Sequence, residues 1–497
     1  MAAYLYNREV KDDEYIGRVR RHTPSSLLPL IARAGAQYWV PQTWLNSPYK
    51  KLTPWNLADV ARVSLVSGNE HRKSAVYQDL LESCAAYSSL VDPQLSGQAV
   101  SGGGSDIIAG FLLRKSAEQL VYNQSRWHDL GRTAAIFDQT AAKKPLNVLG
   151  DPGWVQSLLG CTIPQYIGIG FIVHTIAVKY EGRFLEDWLD DPVLEPITSE
   201  IPVRLVRDVI ADHFMADVSF FQQERPNFHP SPYRRFTYNP LMGKPIVSGI
   251  SDVRLVPVPG LIDRKISPLG LWYTGFDLWG SDFSDDVGEL FEQYVGRQLD
   301  LIPNVVVQPE VVYREGKDEK RSVDWILVFD GVALLVEVKS ARPTEPIRLG
   351  KEEAYDQMGT KLSKAFKQID TTSQLIEDQH PKFSHIPKNL PRIGLIVTME
   401  DFPIANAPAL RARLGVFPSI PTCVCSSEDL ELLVTITDQD ICSFLSAFLA
   451  DPSKIGWSLT NDVRDEARGH ARNEVLDQAW KTYTWGLPPD ALFLEAE

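Results

Sequence analysis

The sequence predicts a mixed fold, α/β in the broad sense that includes α+β, with a mainly helical N-terminal region before a core of strands and helices. Three observations lead to this prediction. The chain has 497 residues, 44% of them hydrophobic, which is enough for two or more domains with cores of their own. Apolar residues before residue 150 recur at helical spacing. After Ser281, short apolar runs alternate with helical patterns.

Changes of pattern along the chain divide it into four segments. We expect a mainly helical region over residues 1–150, a mixed segment over 151–280 that recognises substrate or a partner, a chemical core over 281–440 and a helical extension over 441–497. Within the first segment, Ser105 is placed to cap a helix that runs to Trp127. The SGGGS stretch before that helix is typical of a hinge, and no Gly-Lys-Ser/Thr follows it as a nucleotide-binding loop would require.

Composition and charge exclude several classes of protein. The formal net charge is −14, so the whole surface is not that of a nucleic-acid binder, although a local basic groove is compatible with it. Five scattered cysteines favour a reducing compartment and no zinc site. The longest apolar run, residues 166–178, is shorter than the roughly 20 residues of a membrane-spanning helix. We therefore expect a soluble, cytoplasmic protein without a membrane partner.

Residues 225–245 combine cationic and aromatic side chains. Arg234 and Arg235 lie among Phe228, Tyr233 and Phe236, a mixture that suits single-stranded nucleic acid. The alternative is a linker whose aromatic residues pack on a neighbouring domain. On the first interpretation, Arg234 and Arg235 bind nucleic acid.

The segment Arg321–Ala341 predicts a β-hairpin that carries charged residues. Asp330 and Gly331 separate two apolar runs, and this dipeptide favours a two-residue type I′ turn with positive φ at both positions. Counting back from that turn places Asp324 directly opposite Glu337. Since side chains alternate along a strand, Lys339 lies on the same face as Glu337.

Two opposed carboxylates in apolar strands need a compensating charge. Hard divalent cations prefer carboxylate oxygens, and a nearby Lys can steady a nucleophile or a developing negative charge. The arrangement therefore predicts metal-dependent phosphodiester hydrolysis, with Asp324 and Glu337 as metal ligands and Lys339 in a catalytic role. A second Glu-x-Lys tripeptide, residues 315–317, lies in a charged loop and lacks this context.

The order of an acidic helix, Asp324, Glu337-Val338-Lys339 and a helix carrying Gln368 resembles the PD-(D/E)XK nuclease superfamily, which has the restriction-endonuclease-like fold. The resemblance covers about residues 282–435. It implies a central mixed β-sheet flanked by helices and cleavage of DNA, less often RNA, with Mg²⁺, for which Mn²⁺ can substitute. Val323 stands where the family often has Pro, a change that removes no ligand.

The resemblance also assigns roles in two helices. Family members often add a glutamate from the first helix, and helical spacing places Glu292 at the border of the apolar face and Glu289 nearly opposite it. Glu292 is thus the predicted third ligand, and Glu289 is predicted to be solvated. In the later helix, Gln368 is expected to support the site. Lys361 and Lys364, at the edge of the same helix, contact the DNA backbone or simply form a solvated face.

These inferences favour a Mg²⁺-dependent deoxyribonuclease, with bacterial anti-phage defence or restriction as its setting by analogy with the family. The alternative is a nucleic-acid-binding or assembly subunit of a multi-protein defence complex that uses the nuclease fold as a scaffold. The net charge supports this alternative because it opposes unaided binding to DNA. A protein partner and a homo-oligomer are compatible with either hypothesis.

Overall fold

The protein is described by a computed structural model over residues 9–40, 52–92, 126–340, 352–436, 441–469 and 472–485, with seven residues between 110 and 122. The fold is mixed α/β, as predicted. The hinge predicted at 101–105 and most of the helix predicted over 105–127 lie outside the described residues.

Four helices form the N-terminal part of the described chain. They are α1 (Asp12–Val19), α2 (Pro24–Gln37), α3 (Pro54–Ser67) and α4 (Tyr77–Ser88). At the start of α3, Asn56 Oδ1 accepts the backbone N–H of Thr53 over 3.1 Å, one half of a capping box. The four helices enclose a hydrophobic core that also takes in Phe221, Val247 and Leu261 from the middle of the chain.

Short helices and strands fill the middle of the chain. The α-helices are α5 (Arg126–Phe137), α6 (Trp154–Leu159), α7 (Ile163–Lys179), α8 (Glu195–Thr198), α9 (Val203–Val209), α10 (Val218–Gln222) and α11 (Gly260–Ile266). The strands β1 (Arg183–Phe184), β2 (Met215–Asp217), β3 (Ile246–Ser248) and β4 (Arg254–Leu255) form a sheet in the order β1-β4-β3-β2. The stretch Trp154–Lys179 is long and apolar enough to cross a membrane, but 67% of the 18-residue apolar window within it is buried inside the protein.

A long helix, α12 (Pro268–Leu299), leads into the predicted core. From the sequence, Ser284 is the expected cap of a helix that runs to about Asp300. The structure instead begins the helix at Pro268, where the Ser267 side chain caps it. Gly280 has non-helical dihedral angles (φ 61°, ψ −134°) and kinks the helix. Glycine tolerates this positive φ, so the predicted boundary at residue 281 falls on a kink.

The core is a five-stranded mixed sheet. Its strands are β5 (Val307–Pro309), β8 (Trp325–Val328), β9 (Ala333–Lys339), β10 (Arg392–Thr398) and β11 (Thr422–Ser426), in the order β11-β10-β9-β8-β5. β9, β10 and β11 are parallel, whereas β5, β8 and β9 are antiparallel. Helix α13 (Glu352–Glu377) covers one face, and α12 lies against the other.

The predicted register of the hairpin is confirmed. Trp325 pairs with Val336 and Val328 with Ala333, and the N–H of Phe329 donates to the carbonyl of Val332 over 2.9 Å. The predicted type I′ turn is wrong, since neither Asp330 nor Gly331 has positive φ. The register therefore follows from a two-residue turn at the predicted position, although its dihedral angles are not those of type I′.

The strand runs predicted before the hairpin are divided differently. The run 305–313 splits into β5 and β6 (Val312–Glu315), and β6 pairs with β7 (Asp318–Arg321) in a separate two-stranded sheet. Gly316 supplies positive φ (64°) at its turn. Residues 322–324 separate β7 from β8, which places Asp324 just before a buried strand.

Short helices follow the sheet. They are α14 (Pro408–Arg413), α15 (Ser427–Leu433), α16 (Ile441–Ala450), α17 (Thr460–Glu466) and α18 (Glu474–Trp480). The predicted capping box at the start of α15 is present between Ser426 and Asp429. Helices α5 and α18 share one hydrophobic core with α12 and the sheet. The segment boundaries predicted at residues 150 and 441 therefore do not separate one hydrophobic core from another.

Candidate active site

Asp324 and Glu337 meet at one end of the hairpin. Asp324 Oδ2 accepts a hydrogen bond from the backbone N–H of Val338 over 2.6 Å, so it reaches the strand that carries Glu337. Their strand neighbours Ile326 and Leu335 share a core with α13, and alternation places both carboxylates on that face. Asp324 is 8% exposed and Glu337 0%.

Lys339 is the charge partner of Glu337. Its ammonium donates a hydrogen bond to Glu337 Oε1 and forms the ion pair expected of residues two apart on one strand face. Glu337 Oε2, by contrast, is buried and has no hydrogen-bond partner among the described residues. Buried carboxylate oxygens are normally satisfied, so this oxygen marks an incomplete site.

The electrostatics of the pair also indicate missing positive charge. Burial raises the pKa of Asp324 to about 6, against the attraction of Lys339. Burial and then repulsion by Asp324 raise the pKa of Glu337 to about 8, again against Lys339. One ammonium does not compensate two desolvated carboxylates.

Glu292 approaches the pair from α12, on the opposite face of the sheet. Burial, followed by repulsion from Asp324, raises its pKa to about 7. Its backbone carbonyl accepts a hydrogen bond from Trp325 Nε1 over 3.2 Å, which ties this turn of α12 to β8. Within the described ranges, however, no three His, Cys, Asp or Glu side chains converge closely enough to hold a metal. The structure thus joins Asp324 and Glu337, with Glu292 in electrostatic range.

Gln368 lies beside the loop that precedes Asp324. Its Nε2 donates to the carbonyl of Ser322 over 2.7 Å. One turn further along α13, the Thr372 hydroxyl accepts the N–H of Val323 over 3.0 Å. These two hydrogen bonds fix the backbone of residues 322 and 323, and thereby the position of Asp324. Sequence analysis identifies Gln368 but misses Thr372, whose partner is recognisable only in the fold.

Lys361 and Lys364 occupy the solvent-facing side of α13. The sequence predicts an apolar stripe on this helix made of Met358, Leu362, Ala365, Phe366 and Ile369. Both lysines are exposed, whereas the last four residues of the stripe are buried; the side chain of Met358 lies outside the described residues. The helix therefore has the predicted orientation. Contact of the two lysines with DNA stays a prediction.

Glu289 is not solvated as predicted. It is buried, because residues 143 and 144 cover this face of α12. The Glu289 carboxylate accepts the backbone N–H groups of Lys143 over 3.0 Å and of Lys144 over 3.2 Å, and it pairs with the Lys144 ammonium over 2.9 Å. Helical spacing alone gave no sign that a distant segment would pack here.

Arg234 and Arg235 are not on a nucleic-acid surface. Arg234 is buried and pairs with Asp12 and Asp59, both over 2.9 Å. Arg235 is also buried and donates to the carbonyl of Leu90. The interpretation as a packed linker is therefore the better one. Their partners are far away in sequence, which explains why local composition misled.

The chain has no match among protein-family models, curated proteins or solved structures. Its function has to be argued from the site itself.

Proposed function

We propose that the protein is a Mg²⁺-dependent endonuclease that hydrolyses phosphodiester bonds of DNA in bacterial defence or restriction, with the core arrangement of the PD-(D/E)XK superfamily. The observation that carries this proposal is the buried Asp324–Glu337 pair beside Lys339. Two desolvated carboxylates and one ammonium on the same sheet face are the residue types that metal-assisted phosphodiester hydrolysis needs.

The residues present fit a divalent cation. Glu337 Oε2 lacks a partner among the described residues, and the raised pKa values of Asp324, Glu337 and Glu292 favour binding of positive charge. Asp324 and Glu337 would hold the ion, with Glu292 assisting directly or through water. When bound, Mg²⁺ would supply Lewis-acid polarisation of the phosphoryl group.

Other residues of the chain have distinct tasks in this proposal. Lys339, held in place by Glu337, would orient the attacking water and offset the charge that develops on the phosphate. Gln368 would keep the loop before Asp324 in place through Ser322. Lys361 and Lys364 would attract the phosphate backbone along α13.

The direct test is cleavage of supercoiled plasmid DNA by the full chain with Mg²⁺ or Mn²⁺. We expect nicking or linearisation by the wild type. Glu337→Gln and Lys339→Met should each lower the rate by a factor of about 100 or more, since each removes a group acting on the transition state. Wild-type rates in both variants would contradict the assigned roles.

The chain offers a matched control in its other Glu-x-Lys tripeptide. Glu315 and Lys317 are exposed on the β6–β7 hairpin, where the sequence context differs but the substitutions are chemically identical. Glu315→Gln and Lys317→Met should leave the cleavage rate within about twofold of the wild type, since exposed surface changes have small effects.

A scaffold subunit is the second candidate function. It is favoured by the net charge of −14 and by the finding that the described ranges hold no cluster of three metal-ligating side chains. Calorimetric titration with Mn²⁺ separates the two. The nuclease proposal requires binding that disappears in Asp324→Asn, whereas a scaffold would show no Asp324-dependent binding.

A further inference from the structure

A segment from the N-terminal half of the chain is fastened to the helix that carries Glu292. We call residues 139–150 the strap. Beyond the two N–H groups bound by Glu289, the Asp286 carboxylate accepts the backbone N–H groups of Asn147 over 2.9 Å, Val148 over 2.6 Å and Leu149 over 2.9 Å. Two acidic side chains of α12 thus satisfy five strap donors, which fixes the strap in one position.

The strap also presents two ammonium groups to the site. The Lys144 ammonium lies 2.9 Å from Glu289 Oε2 and 3.7 Å from Glu292 Oε2. The Lys143 ammonium lies 4.3 Å from the ring centroid of Trp325, the residue after Asp324. Lys144 is therefore next to Glu292, a proposed ligand, and Lys143 is next to the residue that follows Asp324.

The ion pair with Glu289 fixes the position of the Lys144 ammonium but leaves it able to bind another anion. The Lys144 side chain is 52% exposed, and an ammonium has three donors, so its two ion pairs leave one donor for a further acceptor. Its partner Glu289 is buried and already accepts two backbone N–H groups. An exposed cation held by such a rigid acceptor loses little entropy when an anion binds it.

We propose that Lys144 binds a backbone phosphate of the DNA strand that enters the site, so that the strap is part of the substrate groove. This inference rests on the proposed function. Glu292 and Asp324 would repel a phosphate, and an ammonium next to Glu292 offsets this repulsion at the entrance. The strap thereby adds, from the N-terminal half and on the α12 side of the sheet, a phosphate contact to those proposed for Lys361 and Lys364 on α13.

The test is the salt dependence of DNA binding. A short fluorescein-labelled DNA duplex is titrated with full-length protein in the Glu337→Gln background, which suppresses cleavage, at several salt concentrations with Mg²⁺ present. Lys144→Met should weaken binding about three- to tenfold at low salt and reduce the slope of log Kd against log salt by about 0.9, the value for one phosphate contact. Lys144→Arg should restore most of the affinity.

Lys179 provides the matched control. It is 45% exposed and pairs with Asp191 over 3.0 Å, closely resembling Lys144, but it lies on α7. Lys179→Met should leave the slope unchanged. An unchanged slope in Lys144→Met as well would reduce Lys144 to a structural partner of Glu289, and tighter binding by Lys144→Met would mean that the strap blocks the groove. Either result overturns the proposal.

Failure of the proposed function gives a different result. One outcome is that Lys144→Met lowers the salt slope of duplex binding but the wild type cuts no plasmid. In that case the nuclease assignment fails and the phosphate contact stands. If the wild type cuts and Lys144→Met behaves like Lys179→Met, the contact fails and the assignment stands. If the wild type does not bind the duplex, both fail.

Discussion

Glu431 and Glu337 are both fully buried glutamates, but their surroundings are opposite. Glu431, on α15, accepts hydrogen bonds from Arg132 over 2.7 Å and Tyr294 over 2.6 Å, and lies 2.9 Å from His128 Nδ1. Glu337 has the Lys339 ammonium on one oxygen and no partner within the described ranges on the other. Both oxygens of Glu431 have partners, so we call it the complete site. Glu337 has one oxygen without a partner among the described residues, so we call it the open site.

Their pKa values follow the number of partners. Burial alone would raise the pKa of Glu431, but Arg132 and then His128 bring it down to about 2. Burial and Asp324 raise the pKa of Glu337 to about 8. Equal burial thus gives opposite shifts, because partners decide whether a buried charge is favourable. A saturated carboxylate holds elements together, whereas an unsaturated one is available for a ligand.

The largest expected effect is the loss of stability on substituting Glu431 in the complete site. Glu431→Gln should lower the free energy of unfolding by about 3 kcal/mol or more, because it leaves the buried Arg132 without its main counter-charge. Urea denaturation measures this loss. Glu428→Gln on the same helix is the control: its pair with Arg464 is exposed, so it should cost less than about 1 kcal/mol. Equal losses of unfolding free energy in the two variants would mean that the buried partners of Glu431 do not matter more than an exposed ion pair.

Local patterns predict one of these two sites and not the other. Asp324, Glu337 and Lys339 belong to one hairpin, whose register follows from the position of its two-residue turn. Arg132 and Glu431 are 299 positions apart, and neither residue has a local pattern that points to the other. The same limit explains the errors at Arg234 and Glu289, where contacts depend on how distant segments pack.

Sequence composition fails in a second way at residues 225–245. The mixture of arginine and aromatic side chains there is real, and Arg234 does stack on Tyr15 and Phe228 rings. The stacking is internal, since Asp12 and Asp59 neutralise the guanidinium. Cation–π contacts serve folding as well as nucleic-acid binding, so residue types alone do not distinguish the two.

Binding of a divalent cation at the open site, next to Glu337, should stabilise the folded protein. At a free Mn²⁺ concentration of ten times Kd, the wild type should gain about 1.4 kcal/mol of unfolding free energy. Thermal unfolding with and without EDTA measures this gain. Glu337→Gln should show little of it, whereas Glu431→Gln should keep most of the gain from its lower baseline. A metal response that is independent of Glu337 would place the ion elsewhere.

Support around the open site should contribute less. Gln368→Ala removes the hydrogen bond to the Ser322 carbonyl and should cost about 1 kcal/mol of stability. It should also slow cleavage about tenfold, because the loop before Asp324 becomes less fixed. Gln374→Ala on the same helix loses only an exposed contact with Asp378 and should change neither quantity. If the two variants behave alike, Gln368 has no positioning role.

The smallest effect concerns another carboxylate without enough counter-charge. Burial and repulsion by Asp429, Glu428 and Glu400 raise the pKa of Asp401, just after β10, to about 7. Between its unfolded pKa of about 3.9 and the folded value, the folded state binds more protons than the unfolded state, so stability falls as pH rises through this window.

Asp401→Asn cannot titrate at this position, so its stability relative to the wild type should increase from pH 4 to pH 7 and level off above. The full pKa shift from about 3.9 to about 7 would correspond to roughly 4 kcal/mol, but because Asp401 is partly exposed, solvent screening should reduce the gain to roughly 0.5 kcal/mol. Urea denaturation of both proteins across this pH range measures the difference. A gain that instead shrinks as pH rises would mean that Asp401, like Glu431, has its charge satisfied in the folded protein.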